Sequence, residues 1–417
     1  MKINETIRKD GLRIITCYIP HKKSILVELI ARVGSAYDPL DKLGLFHTFE
    51  HMAFKGTKKR TAKDLTSFAA RNFINHNAST GALGTTYEVM VIDRKLPLAC
   101  EYLCDIYLNS VFNSAELKKE KRPILLEIAS RNDSDAAVAH HALNECLYKE
   151  NPLRRQGGGT LAGIARVHRV DLVKAKNKLH IPSNTIAIAV GNVRHNDFVK
   201  EISKRIPFNA KKVPLQQWSD EANELPLKKE LTIKRPKRGK SILLLKCKIP
   251  LNIDLRTREA FFLFSRLIGR GPSSILWHEI RERRGLAYFI DSSYYETAGL
   301  GAQFSVYAEI HPSKSKQVEK LIWQVLTKPL TDNSKFKELH EQMFDSFEIV
   351  ATEGMSPYSY ESYIWENITE GKPVKAVETQ DKKRLKIISK LTLKDLENVR
   401  KQFIRPERFV RVLVEPA

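Results

Sequence analysis

Five cysteines in 417 residues, Cys17, Cys100, Cys104, Cys146 and Cys247, are too few and too dispersed for a disulfide framework. Cys100 and Cys104 stand four apart on a helical pattern, but no nearby Cys or His completes a zinc spacing, so both read as buried thiols. Nineteen Gly and 18 Pro exclude collagen-like and low-complexity chains. Long apolar runs are also missing. Stretches such as Thr185–Val190 and Ile242–Leu245 have the length of strands, not of membrane spans. The polar start, MKINETIRKDGLRI, lacks the apolar core of a secretory signal, and a reducing, cytoplasmic location is expected.

Acidic residues are scarce relative to basic ones. Lys and Arg total 70 against 48 Asp and Glu, a net charge of +22. The excess is spread along the chain, with 33 basic and 21 acidic residues in 1–210 and 37 and 27 in the rest. Runs such as Lys55–Arg60 and Lys234–Lys240 could meet an anion, but no zinc-finger, helix-turn-helix or aromatic RNA-binding signature accompanies them. They read as solvated surface, without specific nucleic-acid binding and without a membrane partner.

What the chain does have is 42% hydrophobic residues, enough for more than one core. Its opening reads as a β-meander: Thr6–Arg8, an Asp10-Gly11 turn, Leu12–Tyr18, then Ser24–Arg32. Helical periodicity follows from Gly44 to Phe54 and over Thr61–Arg71, with Thr61 as N-cap. Asn75–Ser79 and Thr85–Ile92 read as paired strands, Pro97–Leu108 and Ser114–Arg131 as helices, and Asn184–Gly191 as a buried strand. Residues 207–236 are polar and aperiodic, a linker with room for one strand near its end. Strand (Ser241–Lys248), helices (Arg256–Leu267, Ser274–Arg283), paired strands (Tyr288–Glu296, Gln303–Glu309), helix and terminal strand then return in the same order. The expected fold is α+β: two homologous domains, each a mostly antiparallel β-sheet packed with helices, produced by internal duplication. The boundaries are 1–206, a linker at 207–236, and 237–417.

The sharpest local pattern is His47-Thr-Phe-Glu50-His51. Positions i, i+3 and i+4 of a helix share a face, so His47 and His51 can offer two imidazoles to one metal with Glu50 beside them. This is the inverted form of the HExxH zincin motif. Taken alone, it also fits two surface or capping histidines next to a glutamate.

Around it, Gly34-Ser-Ala-Tyr-Asp38 and Gly44-Leu-Phe-His47-Thr-Phe-Glu50-His51-Met-Ala-Phe54-Lys-Gly56-Thr57 resemble the pitrilysin/insulysin family of inverted zincins. The short-chain branch, with the mitochondrial processing peptidases and their bacterial homologues, is the most similar. The resemblance implies a third ligand 76 residues after the second His, which is Glu127, and another Glu seven residues earlier, which is Glu120. The family's Asn-Ala-x-Thr edge-strand motif appears as Asn77-Ala78-Ser79-Thr80, and its Arg-x6-Tyr signature as Arg281 and Tyr288. Without the resemblance, Glu120 would be a solvated helix carboxylate, Asn77–Thr80 plain hairpin residues, Arg281 a surface arginine and Tyr288 a strand core residue.

The implied activity is zinc-dependent endopeptidase action on short or unfolded peptides within a closed chamber. His47, His51 and Glu127 would hold one Zn²⁺ per chain, and Glu50 would be the base. Glu120 would orient a ligand, Asn77–Thr80 would pair with an extended peptide, and Arg281 and Tyr288 would bind the reacting carbonyl or its oxyanion. Family members close four homologous domains and this chain has two, so a homodimer is expected, with a heterodimer with a related subunit as the alternative. The other readings are a non-catalytic or partner-dependent subunit of a processing-peptidase-like heterodimer, or an anion-binding scaffold. Three departures from the pattern stand out. Pro123 lies between Glu120 and Glu127 and threatens a kink. Asn151-Pro-Leu153 replaces His-Pro-Leu, and His180 stands where a Tyr is usual; both positions are expected to be structural. His76 and His140-His141 are expected to be packing or surface residues.

Overall fold

The structure, a computed structural model, describes residues 1–236 and 239–417. Lys237 and Arg238, where the second domain was expected to begin and which belong to the basic run Lys234–Lys240, lie outside it.

Eleven strands among the described residues form two sheets. The first holds β1 (Lys2–Ile7), β2 (Arg13–Tyr18), β3 (Ser24–Ala31), β4 (Asn75–Thr80), β5 (Thr85–Ile92) and β6 (Thr185–Gly191) in the order β1-β2-β6-β3-β5-β4. The second holds β7 (Glu230–Arg235), β8 (Ser241–Ile249), β9 (Ala287–Thr297), β10 (Gly301–Ile310) and β11 (Val410–Pro416) in the order β7-β11-β8-β10-β9. Without β1, both read first, fifth, second, fourth, third strand. Each has one parallel pair, β2 with β6 and β7 with β11, and every other pairing is antiparallel. Two sheets of identical topology from one chain bear out the duplication read from the element order.

The opening is not a meander. β1 and β2 do form a hairpin, with Gly11 at φ +92 in its turn, but β3 does not pair with β2. β6 is inserted between them, parallel to β2 and antiparallel to β3. The reason is burial. β6 is buried at all seven positions and β8 at all nine, so both belong in sheet interiors with both faces covered.

That double coverage also explains the packing units, which are not the two halves of the sequence. One comprises Met1–Ser130, Arg155–Gln217 and Met355–Glu378; the other comprises Arg131–Arg154, Trp218–Gly354 and Thr379–Ala417. In the first unit, Ala187 and Ala189 of β6 face a core under the N-terminal helices, while Ile186, Ile188 and Val190 face Tyr360, Ile364 and Ile368 of the helix Pro357–Thr369. In the second, Leu243, Leu245 and Cys247 of β8 face helices of the C-terminal half, while Ile242 and Leu244 meet Ala139, Leu143 and Leu147. Each sheet thus takes the helix for its second face from the other half of the chain. Burying each of the Ile, Leu and Val side chains among them contributes about 1.5–3 kcal/mol.

The helices that matter for the site are α1 (Leu45–Ala53), α2 (Ala62–Asn72), α3 (Leu96–Asn109), α4 (Ser114–Asp133) and α5 (Asp135–Leu147). α2 starts at the expected N-cap, Thr61, which forms a capping box with Asp64. α4 runs unbroken through Pro123. The ring removes one backbone donor but does not end the helix. Between residues 330 and 405 lie four helices, Asn333–Glu353, Pro357–Thr369, Val377–Ile388 and Leu393–Phe403, that the sequence reading left unassigned. No helix among the described residues is long and apolar enough to cross a membrane.

Candidate metal centre

α1 buries Leu45, Phe46, Thr48, Phe49, Met52 and Ala53 and leaves His47, Glu50 and His51 half-buried on the remaining stripe. Its start is fixed from outside the helix. Gly44, at φ +101, has no side chain to cap with; the Asp38 carboxylate instead accepts the Gly44 and Phe46 N–H groups at 2.7 and 3.0 Å. A Cβ at Gly44 would come within 2.4 Å of Ile164 Cδ1 and 3.0 Å of Gly159 Cα. Glycine is required there both for the dihedral and for the close approach of the Gly157–Gly159 loop.

That loop serves the first imidazole. His47 Nδ1 lies 3.0 Å from the Gly158 carbonyl oxygen, which can only accept, so Nδ1 carries the hydrogen and Nε2 keeps its lone pair. His51 Nδ1 lies 3.1 Å from Glu120 Oε1, which fixes the same tautomer. Glu120 also accepts from Lys55 Nζ at 2.7 Å. Burial works against the charge on Glu120, but the Lys55 and His51 donors outweigh it and hold the carboxyl below its usual range.

Both free Nε2 atoms converge, 3.2 Å apart, on Glu127 Oε2, which lies 3.5 Å from His47 Nε2 and 3.7 Å from His51 Nε2. A tetrahedral zinc with bonds of about 2.0–2.1 Å has ligand–ligand edges of about 3.3–3.4 Å. Three acceptor atoms aimed at one point with those edges repel one another unless a cation lies between them. The donor set therefore fits zinc, and two imidazoles with one carboxylate are a zinc-type set. His47, His51 and Glu127 form the one such cluster among the described residues. His76 and His140-His141 do not join it. His180 is buried between the rings of Phe49 and Tyr107, at 4.4 and 4.5 Å, and burial holds it down to about 3, so it is a neutral packing residue.

Glu50 is held from β4. Thr80 Oγ1 donates to Glu50 Oε2 at 2.6 Å. β4 is an edge strand, paired with β5 alone, and Asn77 and Ser79 are exposed while Ala78 packs on the core. The segment Asn77–Thr80 thus has the open edge expected of it, but the Thr80 side chain is turned to the carboxylate on α1.

Arg281 and Tyr288 belong to the second unit. The expected helix Ser274–Arg283 is largely a π-helical turn, Trp277–Glu282, with Arg283 N–H donating to the His278 carbonyl at 2.9 Å. Arg281 projects from this turn with its Cζ 4.0 Å from the Trp277 ring centroid, and its guanidinium has no carboxylate partner among the described residues. Tyr288 is not a core residue. In the β9–β10 ladder Ala287 pairs with Ile310 and Phe289 with Glu309, so Tyr288 is the extra residue of a bulge. Tyr288 and Phe289 are both exposed, 60% and 42%, where the strand runs through the bulge.

The sequence reading missed Asp38 as the cap of α1, Gly158 as partner of His47 and Lys55 as partner of Glu120. The run Gly157-Gly158-Gly159 was a visible signal of close backbone approach. The other two depend on tertiary contacts.

Residues 13–160 match the model of a family described as insulinase (peptidase family M16), and residues 166–332 match the one described as peptidase M16 inactive domain. A protein of Rickettsia bellii described as an uncharacterized zinc protease is 32% identical over 311 residues, covering 72% of this chain and 71% of its own. Among solved structures, a protease from Helicobacter pylori aligns with TM-score 0.85 and 19% identity over 100% of this chain and 99% of that one. The periplasmic protease PqqL of Escherichia coli aligns with TM-score 0.77 and 15% identity over 100% of this chain and 48% of its own.

Proposed function

Because the chain belongs to peptidase family M16, we propose that it is a zinc-dependent endopeptidase acting on short or unfolded peptides. The observation that carries this is the convergence of His47 Nε2, His51 Nε2 and Glu127 Oε2 beside the Glu50 carboxylate. Zinc bound by these three residues supplies Lewis-acid chemistry, making water acidic enough to act as a nucleophile near neutral pH. Glu50, steadied by Thr80, would take a proton from the attacking water and hand it to the leaving amine as the C–N bond breaks. Glu120 holds His51 in the ligating tautomer, with Lys55 holding Glu120. The open edge of β4 at Asn77–Thr80 receives an extended peptide by strand addition. Arg281 and Tyr288 donate hydrogen bonds to the reacting carbonyl or the oxyanion.

The working form is a homodimer in which Arg281 and Tyr288 of one copy serve the zinc site of the other. PqqL has the fold of this chain over 48% of its own length, which leaves room in that one chain for a second such pair of domains. A net charge of +22 favours neutral or acidic peptides over basic ones, and five buried free cysteines fit a reducing cytoplasm.

Cleavage of an unbiased quenched-peptide library, wild type beside Glu50→Gln, tests the reading. Activity that collapses in the variant while zinc content stays at one per chain supports it. Equal activity of the two proteins refutes it.

A further inference from the structure

We propose that Trp277 is a positioning residue that holds Arg281 and Tyr288 in one fixed arrangement. This rests on the reading of Arg281 and Tyr288 as donors to the substrate carbonyl. Arg281 is an exposed residue on a π-turn and has no carboxylate partner among the described residues, so nothing polar fixes its long side chain. The Trp277 ring does so instead, with the guanidinium carbon 4.0 Å from its centroid. That is a cation–π distance, and a planar guanidinium laid on an indole keeps its N–H edges free for another acceptor.

The same indole meets the other donor's strand. Its ring lies edge to face with Phe289, with centroids 6.4 Å apart, and Phe289 in turn meets Tyr307 of β10 at 6.0 Å. Phe289 is the neighbour of Tyr288 in the bulge, so fixing Phe289 fixes the direction in which the bulge aims Tyr288. Trp277 is half-buried, packed on one side against the second unit's core. One side chain anchored in the core thus touches Arg281 directly and Tyr288 through its neighbour. Two irregular elements, a π-turn and a β-bulge, are tied together by it. Irregularities of both kinds concentrate at functional sites, and here each carries one donor.

The test is a set of full-length variants assayed on quenched peptides drawn from those that the wild type cleaves. Arg281→Ala is measured first. If it keeps full kcat/KM, the reading of Arg281 fails, and the inference with it. Given a loss there, Trp277→Leu should lose about tenfold in kcat/KM, split between kcat and KM as in Arg281→Ala. In the Arg281→Ala background it should cost less than threefold more, the remainder being the effect through Phe289. Trp277→Phe should stay within about threefold of wild type, because a smaller ring keeps a weaker cation–π contact. Losses that multiply fully in the double variant, or a Trp277→Leu enzyme with full activity, would overturn the inference while leaving the reading of Arg281 intact. If Trp277→Leu melts below the assay temperature, Trp277→Phe carries the test. A two- to threefold loss that shrinks in the Arg281→Ala background supports the proposal, and no loss, or a loss of the same size there, overturns it.

Discussion

Replacing Thr80 by valine isolates one hydrogen bond at the heart of the proposed chemistry. The hydroxyl has a single hydrogen and two acceptors near it, Glu50 Oε2 at 2.6 Å and the Phe46 carbonyl at 3.5 Å. The shorter contact, to a charged group, takes it. Valine has the same shape, so the β4 backbone and its pairing with β5 survive, and Thr80 touches none of the three metal-cluster atoms. A hydrogen bond to an ionised carboxylate is worth about 1.5–3 kcal/mol. Lost wholly from the positioning of the base, that is about 10- to 100-fold in kcat. Thr80 is half-buried, so water replaces part of the bond, and the expected loss is near the lower end, about 10- to 30-fold. Steady-state kinetics on a quenched peptide, with zinc content measured by atomic absorption, should show kcat down, KM steady and one zinc retained. Thr80→Ser should return most of the rate. A valine variant within threefold of wild type in kcat would refute the argument, and so would a rise in KM alone, which would return Thr80 to peptide binding.

Further expectations concern stability and metal. His180, held down to about 3 by burial, stays neutral in the native state but takes a proton near 6.5 when unfolded, so it costs stability as pH falls from 6.5 toward 3, up to about 4 kcal/mol. His180→Phe should therefore melt higher than wild type at pH 4, with a much smaller gap at pH 8; equal gaps would refute this. Glu28 on β3 sits directly across from Glu88 on β5, with Glu361 of the helix Pro357–Thr369 against them. Burial and the neighbouring carboxylates raise Glu28 well above the usual range, and burial raises Glu361 to about 7. A raised carboxyl favours the folded state at low pH, and that contribution is lost as pH rises through about 7, some 3 kcal/mol for Glu361. Glu361→Gln should flatten the fall in melting midpoint between pH 5 and 8, and an unchanged slope would count against the cluster. Stripping zinc with a chelator should abolish cleavage and lower the melting midpoint by a few degrees, reversed by added zinc but not by magnesium, which prefers six oxygen ligands.

Most of the element order as far as Thr327, many strand and helix bounds there and the His47, Glu50, His51 stripe were legible because they rest on local periodicity and on glycine, proline and cap positions. Glu127 became legible only through resemblance, since nothing in residues 52–126 announces that α4 returns to α1. The insertion of β6 between β2 and β3 was hidden because pairing partners are chosen by burial across some 150 residues, not by adjacency. The swapped helices escaped for the same reason. Pro357–Thr369 was unassigned from sequence, and which sheet it and α5 cover depends on which one offers an unburied apolar face. The Tyr288 bulge is invisible in sequence too, since Ala-Tyr-Phe-Ile reads as continuous strand until the partner register is known.

The duplicated frame shows where the two copies diverged. In the first unit the helix after the central strand β3 is α1, whose exposed stripe offers His47, Glu50 and His51. In the second, the helix after β8 is Leu255–Gly269. It buries Ala260, Phe261, Leu263, Phe264, Leu267 and Ile268, and Phe261 and Phe264 pack on Phe304 of β10 at 5.8 and 5.6 Å. It holds no histidine, so it can build no copy of the metal cluster. Its one buried acid, Glu259, is ion-paired with Arg384. Among the described residues the second unit holds no such cluster, and residues 166–332, most of which lie in it, match the family domain described as inactive. What it keeps is irregular backbone ahead of and within its edge strand, a π-turn and a bulge where the first unit has the regular α2 and β4. One copy of the frame spends its irregularity on the loop that fixes His47, the other on presenting an arginine and a tyrosine. The metal set cannot be moved to the second copy without rebuilding the helix after β8, nor the arginine and tyrosine to the first without rebuilding α2 and β4.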